Sequence, residues 1–129
     1  MQGEPNETSG ESVENPHDQH LIDIGSFMKV DLRVGKILSC ERIPKSKKLL
    51  KMQVDLGQET RQILAGLAPW FLPEEMVGRR VAVVANLAPV KLMGQESQGM
   101  ILAASPENPD AVPVPLAVAE GTPLGARIR

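Results

Sequence analysis

Apolar and polar residues alternate through "KVDLRV". Val30, Leu32 and Val34 are apolar, while Lys29, Asp31 and Arg33 are polar, the period-two signature of a half-buried strand. At Gly35 the parity flips, because Ile37 rather than Lys36 carries the apolar face onward. A glycine at a phase change predicts a bulge or sharp bend, so that one long strand serves two sides of a barrel. Alternation resumes in "LLKMQVDL", with Leu50, Met52, Val54 and Leu56 on one face and Lys51, Gln53 and Asp55 on the other. "ETRQILAGL" returns after a turn at "GQ" and completes a hairpin. "PWFLPEEMVG" combines Pro69 and Pro73 with Glu74 and Glu75 in a first turn and Gly78 at the end, which predicts a short helix. "RRVAVVANL" and "GMILAAS" read as two further strands, joined by the long connection "NLAPVKLMGQESQG".

The predicted order is bent strand, strand, strand, short helix, strand, strand. That order fits an all-β, five-stranded Greek-key barrel of the oligonucleotide/oligosaccharide-binding kind (the OB-fold), with its helix between strands 3 and 4. Such barrels usually bind across strands 2 and 3, between the loop joining strands 1 and 2 and the loop joining strands 4 and 5. Here those loops are "RIPKSKKL" and "NLAPVKLMGQESQG". A C-terminal strand extension follows in "AVPVPLAV". Pro113 and Pro115 share one parity, so they delete N–H donors on one side only. This predicts an edge strand paired on its other side.

Charge sharpens the picture. The formal net charge of −2 conceals a segment-wise split. Residues 1–28 hold six acids and no Lys or Arg, residues 29–105 carry a net +5, and residues 106–129 a net −1. A basic body favours an anionic partner, of which nucleic acid is the commonest. Residues 1–20, polar and acidic with little to bury, read as a disordered leader, and residues 21–129 as the folded domain. His17 and His20 lack a third ligand, so no metal is expected. No apolar run approaches a membrane span, the N-terminus is no secretory signal, and the single Cys40 forms no internal disulfide. These features point to a cytoplasmic setting, and Cys40 itself reads as an inert thiol. The sequence presents no nucleophile–base pair, paired carboxylates or phosphate-binding glycine loop. It therefore predicts a non-catalytic module without a cofactor.

In order and spacing, "KVDLRVGKI", "LLKMQVDLG", "RQILAGLA" and "PEEMVGRRVAVVANLAPVKLMGQESQGMILAA" resemble the tRNA-binding domain family. That family includes the C-terminal domain of bacterial methionyl-tRNA synthetase, free-standing tRNA-binding proteins and the endothelial monocyte-activating polypeptide domain. The resemblance covers residues 22–129. It implies recognition of tRNA largely by shape, often as a homodimer, and possible association with a synthetase in cis or in trans. It places Arg33 and Lys36 in and after "DLRVG", and Asn86, Lys91, Ser97 and Met100 in the pattern of the long loop, as candidate tRNA contacts. Lys45 and Lys48 join them from the basic loop. There "RIPKSKKLL" departs from the histidine-proline and asparagine-alanine-aspartate-lysine of many relatives, so individual contacts do not carry over.

Chemically, Lys91 suits a phosphate, and Ser97 and Asn86 suit 2′-hydroxyls or base edges. Alternative readings stand beside these: Met100 as a core residue opening a strand, Asn86 as a turn cap. Phe27, Trp70 and Phe71 are the only aromatic residues, and none lies on strands 2 and 3. This disfavours single-strand stacking there, and Trp70 and Phe71 read as packing residues. Ile24 and Phe27 before the barrel, and Val112, Val114 and Leu116 after it, are apolar positions needing cover, which predicts a twofold homodimer interface. A chaperone-like or protein-interaction OB-fold module is the alternative function.

Overall fold

The computed structural model describes residues 20–129. The acidic leader and His17 therefore lie outside the described residues, while His20 is exposed. A single turn of helix, α1 (Ile24–Phe27), comes first, its N-terminus capped by the Asp23 carboxylate, which accepts from Ser26 N–H at 2.7 Å. That bond holds the Asp23 carboxyl below its usual range.

Strand β1 (Leu32–Arg42) is the axis of the barrel. Its first half pairs with β4 (Arg80–Val84), and from Lys36 onward it pairs with β2 (Leu50–Asp55). One strand thus serves two sides, as the phase change predicted. The bulge itself is displaced from the expected place. The register slips between Ile37 and Ser39, and Gly35 stays regularly paired with Val81. Gly35 is glycine for packing: a Cβ there would sit 2.6 Å from Val54 Cγ1 and 3.0 Å from Val83 Cγ2. The β1 apolar face is also divided. Ile37 enters the main core, whereas Val34, with its register partner Ala82, is buried outside that cluster.

β2 alternates as its sequence does, with Leu50, Met52 and Val54 fully buried. It forms a hairpin with β3 (Thr60–Ala65). Helix α2 (Pro73–Met76) then lays Met76 into the core with no exposure. The long connection beyond β4 is itself ordered into a hairpin, β5 (Val90–Leu92) with β6 (Gln95–Ser97). β7 (Met100–Ile101) pairs with β4. The barrel is nearly closed between β3 and the chain leading into β7, where Gln98 N–H donates to the Gln62 carbonyl at 2.8 Å.

The C-terminal extension makes two attachments. β8 (Ala103–Ala104) pairs with β9 (Val114–Pro115), and N–H groups of Leu116 and Val118 donate to Leu102 and Arg80 carbonyls. Even-numbered donors are used inward, so Pro113 and Pro115 remove donors only from the outer edge. β10 (Arg127–Ile128), which the sequence pattern did not reveal, pairs antiparallel with Leu32 and Arg33 at the start of β1.

Candidate nucleic-acid interface

The loop between β1 and β2 is built around Ile43 and Ser46. Ile43 is buried; Ser46 N–H donates to its carbonyl, and the Ser46 hydroxyl accepts from the N–H groups of Lys48 and Leu49 at 3.2 and 3.1 Å. This side-chain turn holds a short cationic loop with Lys45, Lys47 and Lys48 all exposed. Among the described residues none of the three has an acidic partner within ion-pair distance.

The β5–β6 hairpin supplies the second wall. Met93 and Gly94 form its two-residue turn, both at positive φ (51° and 76°), which is the type I′ arrangement. Methionine is uncommon there, so the segment lacks the usual hairpin signal. The hairpin lies along β3. Gln62 donates through Nε2 to the Glu96 carbonyl at 2.9 Å, and its N–H donates to Gln98 Oε1 at 3.2 Å. Lys91 is exposed on this hairpin, without an ion pair among the described residues.

Between the two walls lies the outer face of β2 and β3. Lys51, Gln53 and Gln62 share it, with Gln53 Nε2 donating to Gln62 Oε1 at 3.1 Å. The face carries amide donors and acceptors and no aromatic ring. Lys36 is half-buried on β1 beside Asp55 of β2.

Three candidate contacts also make hydrogen bonds within the fold. Ser97 is 6% exposed. Its hydroxyl accepts from Leu64 N–H at 3.0 Å and donates to the Gly99 carbonyl at 3.1 Å. The hydroxyl fastens the loop to β3. Ser97→Ala should cost about 1–3 kcal/mol of stability, because a buried N–H loses its acceptor. Unchanged melting would show that this pairing carries no weight. Asn86 is exposed, but both ends of its amide are used: Oδ1 accepts from Asp31 N–H at 2.9 Å and Nδ2 donates to the Lys29 carbonyl at 2.7 Å. It ties the root of the long loop to the segment before β1. Arg33 forms an ion pair with Asp31 at 2.7 Å and donates to the Gly125 carbonyl at 3.1 Å. It sits at the barrel end formed by the β2–β3 turn, away from the lysine loop, because the register sets Leu32 and Arg42 at opposite ends of β1. Met100 is not core. It is 45% exposed although it opens β7.

Lys47 stands exposed in the same loop as Lys45 and Lys48, and its charge is plain in the sequence. Only the strand register reveals the common face of Lys51, Gln53 and Gln62. Burial pushes the Cys40 thiol up to about 11, with Glu41 adding to the rise. Among the described residues, no three His, Cys, Asp or Glu side chains cluster to hold a metal, and no helix is long and apolar enough to cross a membrane.

The nearly closed antiparallel barrel, with a polar strand face flanked by two cation-bearing loops, is an OB-like barrel. Comparison with known proteins makes the assignment particular. Residues 32–127 match the family described as "Putative tRNA binding domain", and the chain belongs to that family. It is 57% identical over 98 residues to a methionine–tRNA ligase of Clostridium perfringens, covering 76% of this chain and 15% of the ligase. The chain thus spans a small part of such relatives. It is similar to a solved MetRS-related protein from Pyrococcus horikoshii, at TM-score 0.80 and 40% identity, over 84% of this chain and 98% of that one. A CsaA chaperone from Bacillus anthracis shares the fold at TM-score 0.75 and 24% identity, over 84% of this chain and 99% of that one.

Proposed function

We propose that this chain is a non-catalytic module that captures tRNA through the sugar-phosphate exterior of the folded RNA. The supporting observation is the placement of Lys45, Lys47, Lys48 and Lys91. All are exposed, all lack an acidic partner among the described residues, and they flank a polar β2–β3 face without aromatic rings. Phosphates of a folded RNA suit the lysines, and 2′-hydroxyls suit the glutamine face. Such contacts carry little sequence information, so discrimination among tRNAs by anticodon is not expected. The module acts beside a methionyl-tRNA synthetase, in cis or in trans, and raises local tRNA concentration in the cytoplasm.

Filter binding with bulk tRNA, duplex DNA and an unfolded polypeptide tests this reading. If about four phosphates are neutralised, log K falls with log salt at a slope of about −3 to −4. A flat salt response rejects the electrostatic grip, and preference for the polypeptide favours a chaperone-like role.

The same reading includes a twofold dimer. Ile24, Phe27, Val112, Val114 and Leu116 are all exposed, the last three on the outward parity of the segment that includes β9. Such an apolar patch suits a closed, isologous contact. Sedimentation at micromolar concentration should give twice the chain mass; a single chain mass rejects the dimer.

A further inference from the structure

Trp70 is 42% exposed, not the packing residue its sequence context suggested. Leu67 and Ala68 are buried and anchor a tight turn between β3 and α2, in which the N–H groups of Trp70 and Phe71 donate to the Leu67 carbonyl. The turn leaves the indole on the wall of an open cleft of about 470 Å3, within the size range of small-ligand sites. Leu64, Ile101 and the exposed Met100 line it, and Ser105, Glu107 and Asn108 border it.

This cleft adjoins the cationic loop. Ala68 N–H donates to the Lys48 carbonyl at 3.0 Å, and Arg42 donates through its guanidinium to the Ala68 carbonyl at 3.4 Å. Through Ala68 the turn that carries the exposed Trp70 is thus joined to Arg42 and to the loop of Lys45, Lys47 and Lys48. We propose that the Trp70 cleft receives an unpaired nucleobase of the bound RNA, stacked on the indole while its neighbouring phosphates lie on the lysine loop.

The inference rests on the tRNA-capture reading and adds to it a place for a flipped-out or terminal base. Three arguments favour a base as occupant. Aromatic faces stack on any base without demanding sequence. The thioether packs well against the edge of a ring. The adjoining positive charge complements a phosphate backbone. Ser105 and Asn108 add hydrogen-bonding groups for the edge of the base.

Trp70 is the only tryptophan and the chain has no tyrosine, so its intrinsic fluorescence reports on this cleft alone. The parent chain, Trp70→Leu and Trp70→Phe are titrated with bulk tRNA and with a blunt RNA duplex lacking unpaired bases. We expect tRNA to quench the parent's fluorescence and the duplex to leave it unchanged. Trp70→Leu should weaken tRNA binding about tenfold, leave duplex binding unaltered and melt like the parent. Trp70→Phe should retain most of the affinity. If tRNA binds with the steep salt dependence but without quenching, and Trp70→Leu binds as well as the parent, the cleft is overturned while tRNA capture stands. Failure of the parent to bind tRNA overturns both. Quenching by an unfolded polypeptide and not by tRNA gives the cleft to a peptide side chain and likewise overturns the proposal.

Discussion

Gly125→Ala is expected to lower the melting temperature by about 10 °C or more. Gly125 has φ +86°, and a Cβ there would fall on the backbone carbonyl oxygen of Leu56. The left-handed conformation costs a residue with Cβ about 1–2 kcal/mol, and overpacking adds about 1–3 kcal/mol. A total near 3 kcal/mol corresponds to about 12–24 °C in a domain of this size. The neighbouring backbone cannot yield cheaply, because Gly57 faces the same contact from the other side. A Cβ on Gly57 would lie 2.6 Å from the Leu124 carbonyl oxygen. The C-terminal segment would have to lift, releasing the Arg33 bond to the Gly125 carbonyl and the bonds between Val34 and residues 125 and 126. A thermal melt followed by circular dichroism checks this; a midpoint within about 2 °C of the parent would show that the segment adjusts freely.

The largest effect on binding is expected from replacing Lys45, Lys47 and Lys48 together with alanine. Each phosphate contact through a charged donor is worth about 1 kcal/mol or more, so three together should weaken tRNA binding on the order of a hundredfold at moderate salt. The loss should also flatten the salt dependence by about two to three units of slope. Stability should not change, because the side chains are exposed and the loop is held by Ser46 and Ile43. Titrations at several salt concentrations read both quantities. An unchanged slope with reduced affinity would mean that the lysines act other than by displacing counterions.

Much of this arrangement was legible because side-chain period and burial coincide. β2 reads apolar at Leu50, Met52 and Val54, and these residues fill the core. Pro113 and Pro115 disclosed which edge of their segment is left unpaired, because a missing donor is visible in the sequence itself. The lysine loop was legible through its charge. What stayed hidden depended on geometry that residue type does not encode. Gly35 marked the bend, but the bulge follows two residues later, since a glycine records a lost side chain rather than an extra residue. The β5–β6 hairpin turns through Met93–Gly94 where Asn-Gly would have announced it. Ser97 has the chemistry of an RNA contact, yet only the fold shows its hydroxyl spent on Leu64 and Gly99. Trp70 follows a proline in a turn, a context that gives no sign of which way its ring faces.

The pairing of β10 with the start of β1 has a kinetic consequence. Leu32 meets Ile128, nearly the full length of the domain away in sequence. Closing so long a loop is entropically late. A chain emerging from the ribosome can form the β2–β3 hairpin from local contacts while the first half of β1 still lacks one of its neighbours. Until residues 127 and 128 have been made that edge cannot be covered, so the growing polypeptide carries an adhesive strand while the barrel between β1 and β10 is synthesised.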